Sequence, residues 1–238
     1  SCQIQIFLLA LFLLFITRFA DSLPVRSRPA TPLYFRLKSQ ISAMEQQDDD
    51  EVSKDTSIST AIEFAELVGR LKTTPRTGWV RKGVPKYESV ADHSWRVAVL
   101  ALLLNDDHVD VSKCIQLALV HDLAECIVGD VVPGDILKSE KQRREHDAME
   151  RIVALLQQTN SASAMRLKNL FEEYEQRTTP EAVAVKDLDM LDMILQANTY
   201  EERYSMDLSE FFGGTPPSLF CNESLRPIAA KVHEKRKR

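Results

Sequence analysis

From about residue 57 onward, the apolar residues of this sequence recur every three or four positions, which is the spacing of an α-helix with one buried face. In segment 89–104 the stripe consists of Val90, Val97, Leu100, Ala101 and Leu104. Ala, Leu, Glu, Lys and Gln dominate the middle of the chain, whereas alternating Val, Ile and Thr are scarce and only 7 glycines occur. We therefore predict an all-α fold, a bundle of helices around one core.

Helix caps and helix breakers divide this region into elements. We predict helices over 57–71, 89–104, 112–127, 138–157, 162–176, 180–204 and 223–235. Ser112 is the expected cap of the third of these helices, and Thr179 followed by proline is a good helix start. Segment 73–86 holds two prolines and two glycines, so we place Arg76 and Trp79 in a loop packed near the surface.

Charge and cysteine content exclude several functional classes. The net charge of -5 argues against a protein that binds nucleic-acid polymers, because such binding needs clustered Lys and Arg. The 4 cysteines show no CxxC pairing, so they indicate neither a zinc ribbon nor a disulfide framework. We expect free thiols in a reducing compartment, with the cytoplasm as the compartment and residues 57–238 as one folded domain.

Residues 1–56 differ in character from the rest of the chain. Residues 4–16 are nearly all apolar, but this run is shorter than the roughly 20 residues that span a bilayer. Arginines and serines with almost no acid follow, and residues 45–54 are acidic and polar like a disordered linker. A signal peptide, an organelle transit segment and a gene-model extension all agree with this pattern, so targeting by residues 1–40 stays open.

Two of the 5 histidines, His93 and His121, fall within apolar helical segments. Asp122 is adjacent to the second, and Glu125 follows one turn later, so a helix over 112–127 places these three side chains near one face. Burying such groups unpaired costs several kcal/mol, so they must share a cation or a hydrogen-bond network. Imidazole with carboxylate suits Mn, Co, Fe or Zn, and further oxygen ligands suit Mg. Asp130 adds a carboxylate near the same end, which supports Glu125 or a second ion.

Other helices must complete the coordination, and we expect His93 and an aspartate of helix 180–204 to do so. Asp187, Asp189 and Asp192 all lie within two turns of that helix. Helical phase ranks Asp189 first, because it projects to the same side as the apolar stripe. Asp192, one turn further, is the expected partner that orients Asp189. Asp187 is expected to be solvated.

This order of residues, a His, then a His-Asp doublet, then a distant Asp, resembles the HD-domain phosphohydrolases. The strings RTGWVRKGVPKYESVADHSWRVA, LALVHDLAECIVGDVVP and VKDLDMLDMILQA are similar to the 5'-deoxynucleotidase branch of that family. The resemblance covers about residues 64–204. It implies an HD-domain helical bundle, dependence on a divalent metal cation, deoxyribonucleoside 5'-monophosphates as substrates and a homodimer.

The resemblance also implies roles for individual positions. It assigns a first metal site to His93, His121, Asp122 and Asp189. It assigns a second metal site to Glu125, Asp130 and the carbonyl of Val131. Glu125 and Asp130 also match the catalytic acid pair beside the attacked phosphate. Arg76 and Trp79 match the region that orients the phosphate and positions the substrate.

The charge of the substrate suggests how such a site works. A phosphate monoester is an anion, so a hydrolase must neutralise it and supply a nucleophile, and a divalent ion does both. The mixed ligand set favours Mn²⁺ or Co²⁺, with Mg²⁺ or others as alternatives. Glu125 is expected to shuttle protons, Asp130 to orient it, and Arg76 to grip the phosphate. Two competing functions remain: another HD hydrolysis, of a nucleoside triphosphate or a cyclic nucleotide, and a catalytically silent metal-binding scaffold.

Overall fold

The computed structural model describes Ser39, residues 55–132 and residues 134–236. Contacts between residues divide the chain into Ser1–Thr56 and Ser57–Arg238, and the helices described below belong almost entirely to the second unit. The apolar run at 4–16, the basic segment after it and the acidic linker at 45–54 lie outside the described residues. Among the residues that are described, no helix combines the length and apolarity needed to cross a membrane.

The described chain is built from helices joined by turns. Its helices are α1 (55–69), α2 (Thr77–Arg81), α3 (Val90–Leu100), α4 (Val111–Val120), α5 (Glu125–Val128), α6 (Lys138–Thr159), α7 (Ser161–Gln176), α8 (Pro180–Tyr204), α9 (Ser209–Gly213) and α10 (Arg226–Arg236). Short 3₁₀ turns cover Arg70–Lys72, Ala101–Leu103 and Pro217–Leu219. The described residues form no strand, and their one isolated bridge joins Pro75 to Ser89. The predicted all-α class is confirmed.

Several helix starts follow from local capping. Ser89 and Asp92 form a reciprocal capping box at the start of α3, which satisfies two backbone N–H groups that have no partner within the helix. Asp110 caps α4, so the prediction that Ser112 is this cap is wrong. The carboxylate of Asp110 accepts hydrogen bonds from the N–H groups that a cap must satisfy. Thr179 caps α8 as predicted, with proline in the first helical position.

Helix α8 is the centre of the fold and packs against α3, α4, α7 and α10. Its side chains Val185, Leu188, Leu191 and Ile194 are wholly buried. Removing a side chain of this size from water contributes roughly 1.5–3 kcal/mol, so this stripe holds the surrounding helices in place. A second cluster of buried apolar residues lies around α6 and α7 and includes Ile152 and Phe171.

The structure corrects two predictions about the elements that carry the site. The predicted helix 112–127 is two helices, because α4 ends at Val120 and α5 begins at Glu125, with a turn over 121–124 between them. The predicted loop around Trp79 contains the short helix α2, and Trp79 is buried in the core instead of lying near the surface.

Candidate metal centre

Helices α3 and α8 bring the first two candidate ligands together. His93 lies in the first turn of α3, where the capping box fixes the helix start, and its side chain is wholly buried. Its Nε2 atom lies 3.2 Å from Oδ1 of Asp189 on α8. The packing of α3 on α8 therefore places an imidazole nitrogen against a carboxylate, and a metal ion shared by the two residues stays a prediction.

The His-Asp doublet occupies the turn that follows α4. His121 is the residue that ends α4, and its Nδ1 atom lies 2.7 Å from the carbonyl oxygen of Ala118. A carbonyl only accepts hydrogen bonds, so Nδ1 donates, and in the neutral ring Nε2 carries the lone pair. That Nε2 atom lies 3.2 Å from Oδ2 of Asp122. The turn thus points both side chains of the doublet toward α3 and α8.

The donor atoms fit a divalent ion. Nε2 of His93, Nε2 of His121 and Oε2 of Glu125 are buried without a hydrogen-bond partner, which normally costs about 1–3 kcal/mol for each group. Ligand atoms of His93, His121 and Asp189 all lie within 4.8 Å of one another. Oδ2 of Asp122 lies 3.7 Å from Nε2 of His93. Imidazole nitrogens and carboxylate oxygens that converge in this way satisfy each other when one cation lies between them.

The electrostatics of these groups reflect their crowding. Burial and Arg76 both oppose a charged imidazolium at His93, but the carboxylates of Asp189 and Asp192 outweigh them and raise its pKa to about 9. Burial also opposes ionisation of Asp189, yet Lys186 and His93 hold its pKa well below the usual range. In the same way His121 and Arg76 outweigh burial and lower the pKa of Asp122. The aspartates are therefore ionised and ready to bind a cation.

Glu125 behaves in the opposite way. Its side chain is buried at the start of α5, and burial, together with the charges of Asp122 and Asp130, raises its pKa well above the ordinary value. Asp130 follows the glycine that ends α5 and accepts a hydrogen bond from the backbone N–H of Thr77 at 2.6 Å. Thr77 also donates from its hydroxyl to the carbonyl of Asp130 at 2.7 Å. These two bonds fasten the start of α2 to the segment after α5.

That fastening brings Arg76 into the site. Its Nη1 atom lies 3.3 Å from Oδ2 of Asp122 and 4.0 Å from Oδ1 of Asp130. Burial opposes its charge, but Asp122, Asp189 and Asp130 raise its pKa, so the guanidinium stays charged. Arg76 is half-buried beside the aspartates, in a position to meet an anion that approaches them.

Trp79 and Val131 lie differently with respect to the site. The indole of Trp79 packs against Phe211 and Tyr200, with ring centroids 4.4 Å and 5.4 Å away, and is 2% exposed. Its Nε1–H donates to Oε1 of Glu88 at 2.9 Å. The tryptophan therefore packs in the core, and direct contact with a substrate stays a prediction. Val131 follows Asp130 in the half-buried segment after α5, and the role of its carbonyl also stays a prediction.

The other aspartates of α8 correct two expectations. Asp187 is buried, not solvated, because its Oδ2 accepts a hydrogen bond from the backbone N–H of Asn222 at 2.6 Å. Asp192 is also buried, but its Oδ2 lies 2.8 Å from Nδ1 of His93, so it orients the histidine and not Asp189. Besides His93, Lys186 contacts Asp189, with its Nζ 2.7 Å from Oδ2 of Asp189.

Lys186 and Arg96 were missed by sequence reasoning. Lys186 precedes Asp189 by three residues, and Arg96 follows His93 by three, so both lie one helical turn from a candidate ligand. Arg96 donates from Nε to Oδ1 of Asp192 and lies against the same carboxylate as His93. Helical spacing was therefore the signal that could have found both cations.

Comparison with known proteins agrees with this architecture. The HD domain family model matches residues 68–221. The chain is 45% identical over 180 residues to the 5'-deoxynucleotidase HDDC2 of Danio rerio, a match that covers 74% of this chain and 88% of the relative. It is 48% identical over 157 residues to the protein of the same name from Homo sapiens, with 65% of this chain and 76% of the relative covered. It is 46% identical to the 5'-deoxynucleotidase hdd1 of Schizosaccharomyces pombe, with 63% and 78% covered.

Solved structures extend the agreement to the fold. A protein from Pyrococcus horikoshii is 36% identical, superposes with a TM-score of 0.58, and covers 72% of this chain and 97% of its own. A conserved hypothetical protein from Pyrococcus furiosus is also 36% identical, with a TM-score of 0.55 and coverage of 73% and 99%. Since the family model matches more than half of the sequence and these relatives cover most of it, the chain belongs to the HD domain family.

Proposed function

We propose that this chain is a metal-dependent 5'-deoxynucleotidase, which hydrolyses deoxyribonucleoside 5'-monophosphates to deoxyribonucleosides and phosphate. The observation that carries the proposal is the set of buried donor atoms of His93, His121 and Asp189, which converge within 4.8 Å without hydrogen-bond partners at either imidazole Nε2. The relatives that are 45–48% identical and named 5'-deoxynucleotidases supply the substrate class.

The geometry supports the proposed ligands of the first ion, and the resemblance supports those of both ions. The first ion would be held by His93, His121, Asp122 and Asp189. A second would be held by Glu125, Asp130 and the carbonyl of Val131. A bound divalent ion supplies charge neutralisation for the phosphate and lowers the pKa of water. Mn²⁺ or Co²⁺ suits the mixed nitrogen and oxygen set best.

The remaining roles fall to side chains around the aspartates. Glu125 is the proposed proton carrier, because burial and the neighbouring carboxylates raise its pKa and so favour a side chain that holds a proton. Asp130 places Arg76 through its bonds to Thr77, and it adds charge beside Glu125. The guanidinium of Arg76 presents parallel N–H groups that match two phosphate oxygens.

We propose that selection for deoxyribose depends on α2, which would form the wall of the substrate pocket beside Arg76 and which Trp79 holds in place. The start of α2 carries Arg76, and Trp79 anchors the same helix in the core through Phe211 and Tyr200. A tightly packed wall leaves no polar partner for a 2'-hydroxyl, so a ribonucleotide would bury that group unpaired. The tryptophan would then act on sugar choice by holding the wall in place.

We also propose that the protein forms a homodimer. Trp95, Val99 and Leu102 recur at helical spacing from α3 into the following turn and are 64%, 43% and 68% exposed. A monomer seldom leaves such a row of large apolar side chains in water, so a second copy is the proposed cover. Sedimentation of the purified protein tests this, and a Trp95→Glu variant should sediment as a monomer.

A phosphatase assay on metal-stripped protein tests the main proposal. The protein is treated with a chelator, dialysed, and assayed for phosphate release from matched deoxyribonucleoside and ribonucleoside 5'-monophosphates. We expect no activity until Mn²⁺ or Co²⁺ is added, and then faster release from the deoxyribonucleotides. Undiminished activity in excess chelator contradicts the metal mechanism, and equal rates on both sugars contradict the substrate preference.

A further inference from the structure

We propose that Arg96 is a positioning residue that orients the side chain at position 192, which in turn accepts a hydrogen bond from Nδ1 of His93 and leaves Nε2 free to bind the metal ion. The inference rests on the proposed role of His93 as a metal ligand. It concerns residues behind that ligand, on the side away from Asp189.

The first step is the contact between Asp192 and His93. Oδ2 of Asp192 lies 2.8 Å from Nδ1 of His93, and both side chains are wholly buried. An ionised carboxylate only accepts hydrogen bonds, so Nδ1 must donate. In the neutral ring the proton then stays on Nδ1, and Nε2 keeps its lone pair free on the side that faces Asp189.

The second step is the contact between Asp192 and Arg96. Nε of Arg96 donates to Oδ1, the other carboxylate oxygen of Asp192. Nη2 donates to the backbone carbonyl of Asp192 at 3.2 Å, and Nη1 donates to Oε1 of Gln196 at 2.6 Å. A guanidinium has no acceptor, so the side chain at position 192 must present an acceptor toward Arg96 as well as toward His93.

The same contacts argue against a second cation site beside His93. Glu88, His93 and Asp192 also place ligand atoms close enough together to hold a cation. However, Nη2 of Arg96 lies 3.8 Å from Oε2 of Glu88, and the guanidinium binds Asp192 directly. Glu88 is further committed to the indole N–H of Trp79. Arg96 already neutralises the charge of these two carboxylates, so they bind Arg96 and not a metal ion.

A substitution of one atom distinguishes a positioning role from general packing. In Asp192→Asn the side chain keeps its shape but has one acceptor and one donor end. Arg96 can only donate, so the amide oxygen must face Arg96 and the amide NH₂ must face Nδ1 of His93. Nδ1 must then accept a hydrogen bond, so the ring proton moves to Nε2. Nε2 is the nitrogen that would bind the ion, and the proton prevents this binding.

Removing Arg96 from that variant should reverse the defect. In Asp192→Asn combined with Arg96→Met, the amide is free to turn its oxygen toward Nδ1, because methionine makes no demand for an acceptor. His93 then keeps its proton on Nδ1 and recovers a free Nε2. The double variant is therefore expected to bind metal better than Asp192→Asn alone, which independent losses would not produce.

Calorimetric titration of the metal-stripped full chain with Mn²⁺ tests the inference. Asp192→Asn should weaken binding by about 10- to 100-fold, the usual range for a disturbed partner of a ligand histidine. Arg96→Met should weaken binding by less, and the double variant should recover at least about half of the logarithmic loss caused by Asp192→Asn. Arg226→Met is the matched control, because Arg226 is a part-buried arginine that donates to the carbonyl of Phe220.

The outcomes separate this inference from the proposed function. A double variant as weak as Asp192→Asn, or weaker, overturns the role of Arg96 while wild-type binding leaves the metal site standing. Wild-type protein that binds no Mn²⁺ overturns both. Nitrogen-15 shifts of the neutral His93 ring in the metal-free wild type give a measurement that needs no variant to fold. They should report the proton on Nδ1, and a proton on Nε2 overturns the inference.

Discussion

Nε2 of His93 lies 3.2 Å from Oδ1 of Asp189, and this contact joins the first turn of α3 to the middle of α8. Each side chain comes from a helix whose start is capped by its own neighbours, so two rigid elements meet at the site. A site on rigid helices keeps its donor atoms in place without a bound ion. Substitution of the acids on α8 can therefore test which of them binds the ion.

The three aspartates of α8 should respond differently to substitution by asparagine. Asp189→Asn removes a charged candidate ligand, so we expect the largest loss of metal affinity and no hydrolysis. Asp192→Asn should give an intermediate loss, through His93. Asp187→Asn should leave metal affinity unchanged but lower the free energy of unfolding by about 1 kcal/mol, because Asp187 accepts a buried hydrogen bond from Asn222. Metal titration and urea denaturation of the three variants measure both effects, and loss of the ion in Asp187→Asn alone would contradict the assignment.

The pKa of His93 predicts opposite effects of pH on stability and on metal affinity. Folding raises this pKa from 6.5 to about 9, so the folded metal-free protein binds more protons than the unfolded chain between these values. The raised pKa of His93 stabilises the folded protein fully below pH 6.5, and this stabilisation is lost as the pH rises to about 9. The loss is on the order of 1 kcal/mol per pH unit. Metal affinity should rise over the same window, because the ion competes with the proton at Nε2.

Two measurements check this prediction. Chemical denaturation of metal-free protein at several pH values should give an unfolding free energy that decreases toward alkaline pH. Titration with Mn²⁺ in buffers of different ionisation enthalpy should show proton release on binding. Metal affinity that does not change across the window would show that His93 is not a ligand.

Arg76→Lys should weaken phosphate binding while the metal site stays intact. Lysine keeps the charge but lacks the planar fork that matches two phosphate oxygens. We expect KM for a nucleoside monophosphate to rise about tenfold, since a hydrogen bond to a charged group contributes about 1.5–3 kcal/mol. Arg81→Lys is the matched control, because Arg81 lies on α2, the short helix that Arg76 precedes, and pairs with Asp135 at the surface. An equal rise in both variants would show that α2, and not the guanidinium, matters.

Local signals in the sequence predicted most of the helices, and they selected candidate ligands whose binding of a metal stays a prediction. Thr179 followed by proline predicted the start of α8, and the spacing of His93 and the His-Asp doublet predicted residues that the fold brings together. These features depend on residues close in sequence or on helical phase. The turn after α4 was not predicted, because residues 121–124 hold no glycine or proline that would mark a break.

The missed features depend on residues far apart in sequence. Helical phase predicted that Asp187 faces solvent. The chain after α9 instead covers it, and the backbone N–H of Asn222 donates a hydrogen bond to its carboxylate. Helical phase also predicted that Asp192 contacts Asp189, whereas the packing of α3 on α8 places Asp192 against His93. Trp79 was placed near the surface because prolines and glycines surround it, yet Phe211 from α9 covers it. Tertiary packing decides such cases, and it leaves no periodic signal.

Glu125→Gln should separate metal binding from turnover. Glu125 is buried, and its Oε2 atom has no hydrogen-bond partner. Burial with Asp122 and Asp130 raises its pKa, so glutamine imitates the neutral side chain in the metal-free protein and should not disturb the fold. Glutamine cannot take up a proton, and we expect kcat to fall by about 10²- to 10⁴-fold, the usual contribution of a general acid or base.

The control for this variant is Glu145→Gln, which alters a glutamate whose pKa is also raised by burial but which pairs with Lys141 on α6. It should keep near-normal kcat. Metal content of both variants is measured after loading with Mn²⁺ and dialysis. Full occupancy of the first site with lost turnover in Glu125→Gln supports a proton carrier. A fall in metal content that matches the fall in rate would instead make Glu125 chiefly a ligand, and proton transfer would have to be assigned to another group.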